Sequence, residues 1–159
     1  DPKPHQREAI DDAVAHLEEN ERGQLLMACG TGKTLTGLWI REEMKAQRTV
    51  VFVPSIALLR QTWSSWNQHA NEPFYSIAIC SDEKATSRGK DQLVTSWSAA
   101  GLPPTTDPDA IAEALDVPGP VVVFSTYQSS EVLETALKKA GRPFDLMIAD
   151  EAHNTDVTP

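Results

Sequence analysis

Basic residues are the scarce class in this chain: 14 lysines and arginines stand against 23 aspartates and glutamates, a formal net charge of −9 over 159 residues. That balance excludes a surface that gathers polyanions indiscriminately, because non-specific phosphate binding rests on dense positive charge. It leaves room for a local track of a few contacts made by backbone amides and hydroxyls. No apolar run approaches the roughly 20 residues of a membrane-spanning helix, and no N-terminal signal pattern is present. Cysteine is scarce as well. Cys29 and Cys80 are the two present, far apart and without metal-ligand spacing, which excludes a disulfide scaffold and points to a reducing cytoplasm. The four histidines, His5, His16, His69 and His153, show no ligand spacing either, and no internal repeat appears. A hydrophobic content of 40% is that of an ordinary globular protein, and the length supports one domain with one core.

Hydrophobic periodicity predicts helix 4–20, strand 24–28, helix 33–47, strand 49–53, helix 55–70 and strand 75–80. A polar stretch, 81–120, reads as an insertion or elaborate crossover holding one helix, Pro108 to Leu115, capped by Asp107. Strand 121–124, helix 129–140 and strand 144–149 follow. Such alternation predicts an α/β fold with a mainly parallel sheet, whose ligand edge lies at the carboxyl ends of the strands.

The segments with the most chemistry fall at those ends. Ala28-Cys29-Gly30-Thr31-Gly32-Lys33-Thr34 sits between an apolar run and a helix. Gly30 and Gly32 permit backbone angles that other residues resist and let N–H groups approach phosphate oxygens. The helix N-terminus aims unpaired N–H groups and partial positive charge at the ligand. Lys33 would bring a full charge to the β- and γ-phosphates of ATP, and the Thr34 hydroxyl would ligate Mg2+. Met27 stands where the commonest form of such a loop has a glycine.

Asp150 and Glu151 end the second key segment, Asp150-Glu151-Ala152-His153, directly after an apolar strand. A carboxylate there can position magnesium, usually through its water shell, and a neighbour can activate a water. Asp150 is assigned to the metal and Glu151 to the water. Asp11-Asp12, Glu18-Glu19, Glu42-Glu43 and Asp82-Glu83 lack the preceding strand and read as solvated surface charge. Loop and acids are expected to meet at one edge of the sheet.

With these residues in view, the chain resembles the first RecA-like motor domain of a superfamily 2 DEAD/DEAH-box helicase or translocase. Within that group it resembles the ATPase subunits of type I and type III restriction enzymes. The resemblance implies a P-loop NTPase fold of three layers, α/β/α, over residues 1–159. Pro54-Ser55-Ile56-Ala57-Leu58-Leu59-Arg60-Gln61 is similar to the family's motif Ia, implying nucleic-acid contact by Pro54, Ser55 and Gln61. Ser125 and Thr126 are similar to its strand-end motif that touches the tracking strand. Pro4-His5-Gln6 is similar to the entry segment whose glutamine reads adenine, which would make Gln6 favour ATP over GTP. His153 takes the coupling role of the family's DEAH histidine. Each segment also has a plainer reading, as a helix cap for Ser55 or Ser125-Thr126 and as a surface residue for Gln6.

The resemblance further implies DNA rather than RNA as the polynucleotide. It implies a second RecA-like domain in the same polypeptide, with an arginine that reaches the γ-phosphate. Neither that domain nor a Ser-Ala-Thr motif follows the DEAH box in these residues, so the chain is expected to be an excerpt with weak activity alone. An RNA helicase motor and an ATP-binding scaffold without motor activity are the alternatives. Lys84, Arg88 and Lys90 read as a solvated loop, Trp63 and Trp66 as packing, and Trp97 as a candidate stacking residue.

Overall fold

Parallel strands buried on both faces need near-continuous apolar runs, and the sequence supplies four of them. The computed structural model, which describes residues 1–80 and 104–150, builds these and a short strand at Pro104–Thr105 into a five-stranded sheet. The elements run α1 (Pro4–Glu19), α2 (Lys33–Glu43), β1 (Arg48–Val53), α3 (Ile56–His69), β2 (Tyr75–Ile79), β3 (Pro104–Thr105), α4 (Pro108–Leu115), β4 (Val121–Thr126), a 3-10 turn (Tyr127–Ser129), α5 (Ser130–Ala140) and β5 (Leu146–Ala149). The sheet order is β3-β2-β4-β1-β5, every pairing parallel. This is the α/β architecture expected from the alternation of elements.

The chain divides into two compact units. The first, residues 1–46 and 61–73, holds α1, α2 and most of α3. Its phosphate-loop helix ends earlier than expected, at Glu43 rather than 47. The Ala46 N–H bonds back to the Arg41 carbonyl and the Lys45 N–H to that of Glu42, a Schellman closure with Lys45 in the left-handed region at φ 53°. A lysine at that position gives no sequence signal for a helix stop, because glycine is its usual occupant. Arg41 on the same helix is buried, and burial lowers its pKa, opposed by Glu42 and Glu72.

The expected strand 24–28 is not formed. Leu26 is 83% exposed, and residues 24–28 join no ladder among the described residues. Apolar character alone does not make a strand: its backbone groups need a partner ladder, and none is engaged here.

The second unit, residues 47–60 and the described part of 74–159, holds the sheet with α4 and α5. Val50, Phe52, Ile77, Ile79, Val121 and Val123 from the strands pack with Ile111 and Leu115 of α4 and Leu133 and Ala136 of α5. Asp107 caps α4, its carboxylate accepting from the Asp109 N–H at 3.0 Å, as the sequence indicates. Pro104–Thr105 pairs with β2, so this part of the expected insertion belongs to the sheet. Residues 81–103 lie outside the described residues, Trp97 and the Lys84, Arg88 and Lys90 group among them.

One charged residue organises the amino ends of the strands. Arg48 is buried and donates to the carbonyls of Leu115 (2.8 Å), Gly119 (2.7 Å), Val117 (2.9 Å) and Gln47 (2.9 Å). These include the last carbonyl of α4 and the turn that follows it, groups that no helix bond can satisfy. Beside it the Asp145 carboxylate accepts the N–H groups of Gln47 and Arg48, at 2.6 and 3.0 Å. Arg48→Met keeps the aliphatic bulk but orphans these carbonyls. We expect it to lower unfolding stability by about 3 kcal/mol, read from chemical denaturation curves.

Candidate functional site

In the first unit the loop 28–34 adopts the shape its glycines allow. Gly30 and Gly32 take φ values of 77° and 88°, both left-handed. Thr31 closes the turn, its hydroxyl donating to the Ala28 carbonyl at 2.6 Å and its N–H to the same oxygen at 3.4 Å. Gly32 is the N-cap of α2, and its carbonyl accepts the N–H groups of Leu35 and Thr36, at 3.1 and 3.0 Å. The N–H groups of Lys33 and Thr34 therefore precede the first helix bond, as N–H groups of a helix's first turn that can receive an anion do. Lys33 and Thr34 are half-buried, and Cys29 is exposed. The Trp66 indole N–H, on α3, donates to the Thr34 carbonyl at 2.9 Å and fixes the first turn of α2. Trp66 is thus packing, as expected, with an anchoring role that spacing alone does not reveal.

Gln6 and His5 flank this loop. Gln6 is buried, and its amide donates to the carbonyls of Thr31 and Gly32, at 3.2 and 3.4 Å. His5 Nε2 lies 3.2 Å from the same Thr31 oxygen. A cavity of about 290 Å³ opens beside the loop, lined among others by Lys3, Gln6, Thr31, Leu35, Trp39 and His69.

In the second unit the carboxyl ends of the strands carry the other expected residues. Asp150 follows β5, is half-buried, and extends the ladder by donating its N–H to the Phe52 carbonyl at 2.9 Å. The Tyr127 hydroxyl donates to the Asp150 carbonyl at 2.8 Å, while its ring stacks on Phe52 at 5.6 Å between centroids. Tyr127 is the residue that sequence reasoning missed. Its signal was its place directly after Ser125-Thr126 at a strand end. Glu151 and His153 lie outside the described residues.

Ser55 precedes α3 and accepts the Leu58 N–H on its hydroxyl oxygen at 3.2 Å; it and Pro54 are exposed. Gln61, further along α3, is exposed too. Ser125 and Thr126 are buried, with Ser125 donating to the Thr126 carbonyl and Thr126 sharing a hydrogen bond with Ser129, at 3.0 and 3.1 Å. Their hydroxyls brace the end of β4. A hydroxyl on Thr34 and a carboxylate on Asp150 are each hard oxygen donors of the kind magnesium takes alongside phosphate and water. Across the described residues no helix is long and apolar enough to cross a membrane.

Loop, helix and sheet together define the class. The chain belongs to the ResIII family, type III restriction enzyme, res subunit, whose model matches residues 1–158. Its fold is the RecA-like α/β fold of that group's ATPase domains. LlaGI, a type ISP restriction-modification enzyme solved as a nuclease-deletion mutant in complex with a DNA substrate mimic, is 41% identical with a TM-score of 0.78. That match covers 95% of this chain and 15% of LlaGI. LlaBIII, an ATP-dependent type ISP restriction-modification enzyme bound to DNA, is 37% identical with a TM-score of 0.71, over 95% of this chain and 10% of its own. Probable helicase A859L of African swine fever virus (isolate Tick/Malawi/Lil 20-1/1983) is 31% identical over 149 residues, 94% of this chain and 16% of the viral protein. The chain thus spans 16% or less of the length of these relatives.

The two loop glycines differ in what surrounds them. A Cβ on Gly30 would meet nothing within 4 Å, whereas one on Gly32 would collide with the Gln6 amide. Gly30→Ala should therefore lower stability by about 1 kcal/mol, the left-handed penalty alone. Gly32→Ala should cost clearly more in the same denaturation measurement.

Proposed function

We propose that this chain is the ATP-binding and ATP-hydrolysing motor domain of a superfamily 2 DNA helicase or translocase, part of a restriction–modification or related DNA-processing enzyme. The observation that carries this reading is the loop of Gly30 and Gly32 at the N-terminus of α2, with Lys33 and Thr34 in its first turn. Membership of the ResIII family supports it.

The backbone N–H groups of the loop and the Lys33 ammonium hold the phosphates of ATP. Thr34 and Asp150 would hold Mg2+, which shields the phosphate charge, and Glu151 orients and deprotonates the attacking water. His153 couples the nucleotide to neighbouring segments. Pro54, Ser55 and Gln61 contact a DNA strand, with the N-terminus of α3 offering N–H groups to a phosphate. Ser125 and Thr126, at the end of β4, contribute to the same nucleic-acid contact. Two solved relatives bound to DNA or a DNA mimic support DNA over RNA. A second RecA-like domain of the same polypeptide supplies the arginine that completes hydrolysis, and the protein works in the cytoplasm.

In the intact protein, Lys33→Ala should abolish binding of Mg-ATP, read by calorimetric titration. Glu151→Gln should bind Mg-ATP as wild type does and hydrolyse it about a hundredfold or more slowly. Normal turnover by Glu151→Gln would remove the water-activation role. The same ATPase assay distinguishes polynucleotides: duplex DNA should stimulate turnover, and stimulation by single-stranded RNA alone would make this an RNA motor.

A further inference from the structure

Asp150 hangs from a lightly held strand. β5 is four residues long, and among the described strands it pairs with β1 alone. Met147 on it is 63% exposed. Short edge strands open easily, because few backbone bonds and little buried surface hold them. The ladder to β1 closes with the Asp150 N–H on the Phe52 carbonyl at 2.9 Å. The next backbone group along the chain, the Asp150 carbonyl, accepts the Tyr127 hydroxyl at 2.8 Å.

Tyr127 reaches this carbonyl from two strands away. It opens the 3-10 turn after β4, and β1 stands between β4 and β5. Neighbouring strands lie about 4.8 Å apart, so the side chain must cross β1. It does so with its ring stacked on Phe52, at 5.6 Å between centroids and 16° between planes. A hydrogen bond between the Thr126 and Ser129 hydroxyls, at 3.1 Å, closes the turn that carries Tyr127. One side chain thus ties the carboxyl ends of three strands. Serine or threonine is too short for that span, and phenylalanine has the ring without the donor. A peptide group is planar, so a carbonyl held at Asp150 also sets the direction of the N–H of Glu151. The bond therefore acts on the one peptide that joins the two acids.

We propose that Tyr127 is a positioning residue for hydrolysis: by fixing the peptide between Asp150 and Glu151, it holds the metal-binding and the water-activating carboxylates in mutual register. This rests on the ATP-hydrolysing function above. Tyr127 acts through the backbone of the acids rather than on the nucleotide. Hydrolysis is sensitive to such placement, because a shift of about 1 Å at a reacting group can cost about a hundredfold in rate. Losing one bond while β5 stays paired with β1 releases part of that shift.

The test uses the intact protein. Tyr127→Phe keeps the ring and its stack on Phe52 and removes only the hydroxyl. We expect it to bind Mg-ATP within about twofold of wild-type affinity and with unchanged stoichiometry, read by calorimetric titration, while kcat falls about tenfold. The stoichiometry counts folded sites, which a loss of structure alone would reduce. Should Tyr127→Phe reduce it, Phe52→Leu leaves the hydroxyl but removes the ring that carries it across β1, and the same split is expected. The second readout is a double-mutant cycle: added to Glu151→Gln, Tyr127→Phe should slow hydrolysis by less than about twofold further, since no carboxylate base is left to position. Turnover by Tyr127→Phe within about twofold of wild type would overturn the proposal. An undiminished loss in the Glu151→Gln background would overturn it too, because the hydroxyl would then act independently of that acid. Failure of the wild-type protein to hydrolyse Mg-ATP would instead refute the hydrolytic function itself, before any variant is made.

Discussion

A peptide plane cannot turn one end without turning the other, and the first unit is organised around that constraint. A phosphate can be gripped by uncharged backbone only if several consecutive N–H groups face it together. Left alone, a loop with two glycines samples many arrangements, since glycine loses more freedom on ordering than any other residue. Here the surroundings remove that freedom from outside. Gln6 and His5 hold the Thr31 carbonyl, Thr31 closes on Ala28, and Trp66 holds the Thr34 carbonyl at the start of α2. Each of these bonds is made to a carbonyl, and so each sets the direction of the amide that follows it.

The second unit uses opposite strategies at the two ends of its strands. At the amino ends, the guanidinium of Arg48 and the carboxylate of Asp145 collect carbonyls and N–H groups that strand and helix termini leave over. A buried full charge demands hydrogen bonds, and the Arg48 guanidinium donates to four carbonyls. At the carboxyl ends the bracing is neutral: Ser125, Thr126, Ser129 and the hydroxyl of Tyr127. The brace to this strand end is an uncharged hydroxyl, and it is made to the backbone carbonyl of Asp150.

The division between what sequence shows and what it hides follows from the range of the interactions. Helices α3, α4 and α5 lie within a residue of their expected limits, and Asp107 caps α4 as expected, because caps and periodicity are set by neighbours in the chain. The turn of Gly30 and Gly32 and the start of α2 at Lys33 were legible for the same reason, being set by consecutive residues. Strand 24–28 failed because a strand needs a second segment, which the run Leu25–Ala28 does not specify. The stop at Glu43 was hidden by a lysine in a glycine's position. The links from Arg48 to Leu115, from Tyr127 to Asp150 and from Gln6 to Thr31 span dozens of residues. Nothing in the local sequence at either end of these links names its partner.

The acidic balance with which the sequence began acquires a physical sense from this arrangement. At physiological salt, exposed charges act over a Debye length of about 8 Å, so a net charge of −9 opposes a polyanion mainly at close approach. A site built on scattered lysines would have to overcome that field with mobile, hydrated and screened charges. Fixed amide dipoles at contact distance are scarcely screened, and they need no reorganisation when the ligand arrives. One lysine in the first turn of α2 then adds charge where the dipoles have already set direction. A surface poor in cations thereby discourages unspecific phosphate binding while leaving the shaped site intact. The same scarcity makes the orientation of each loop carbonyl, and hence of each following amide, matter more than the total charge of the chain.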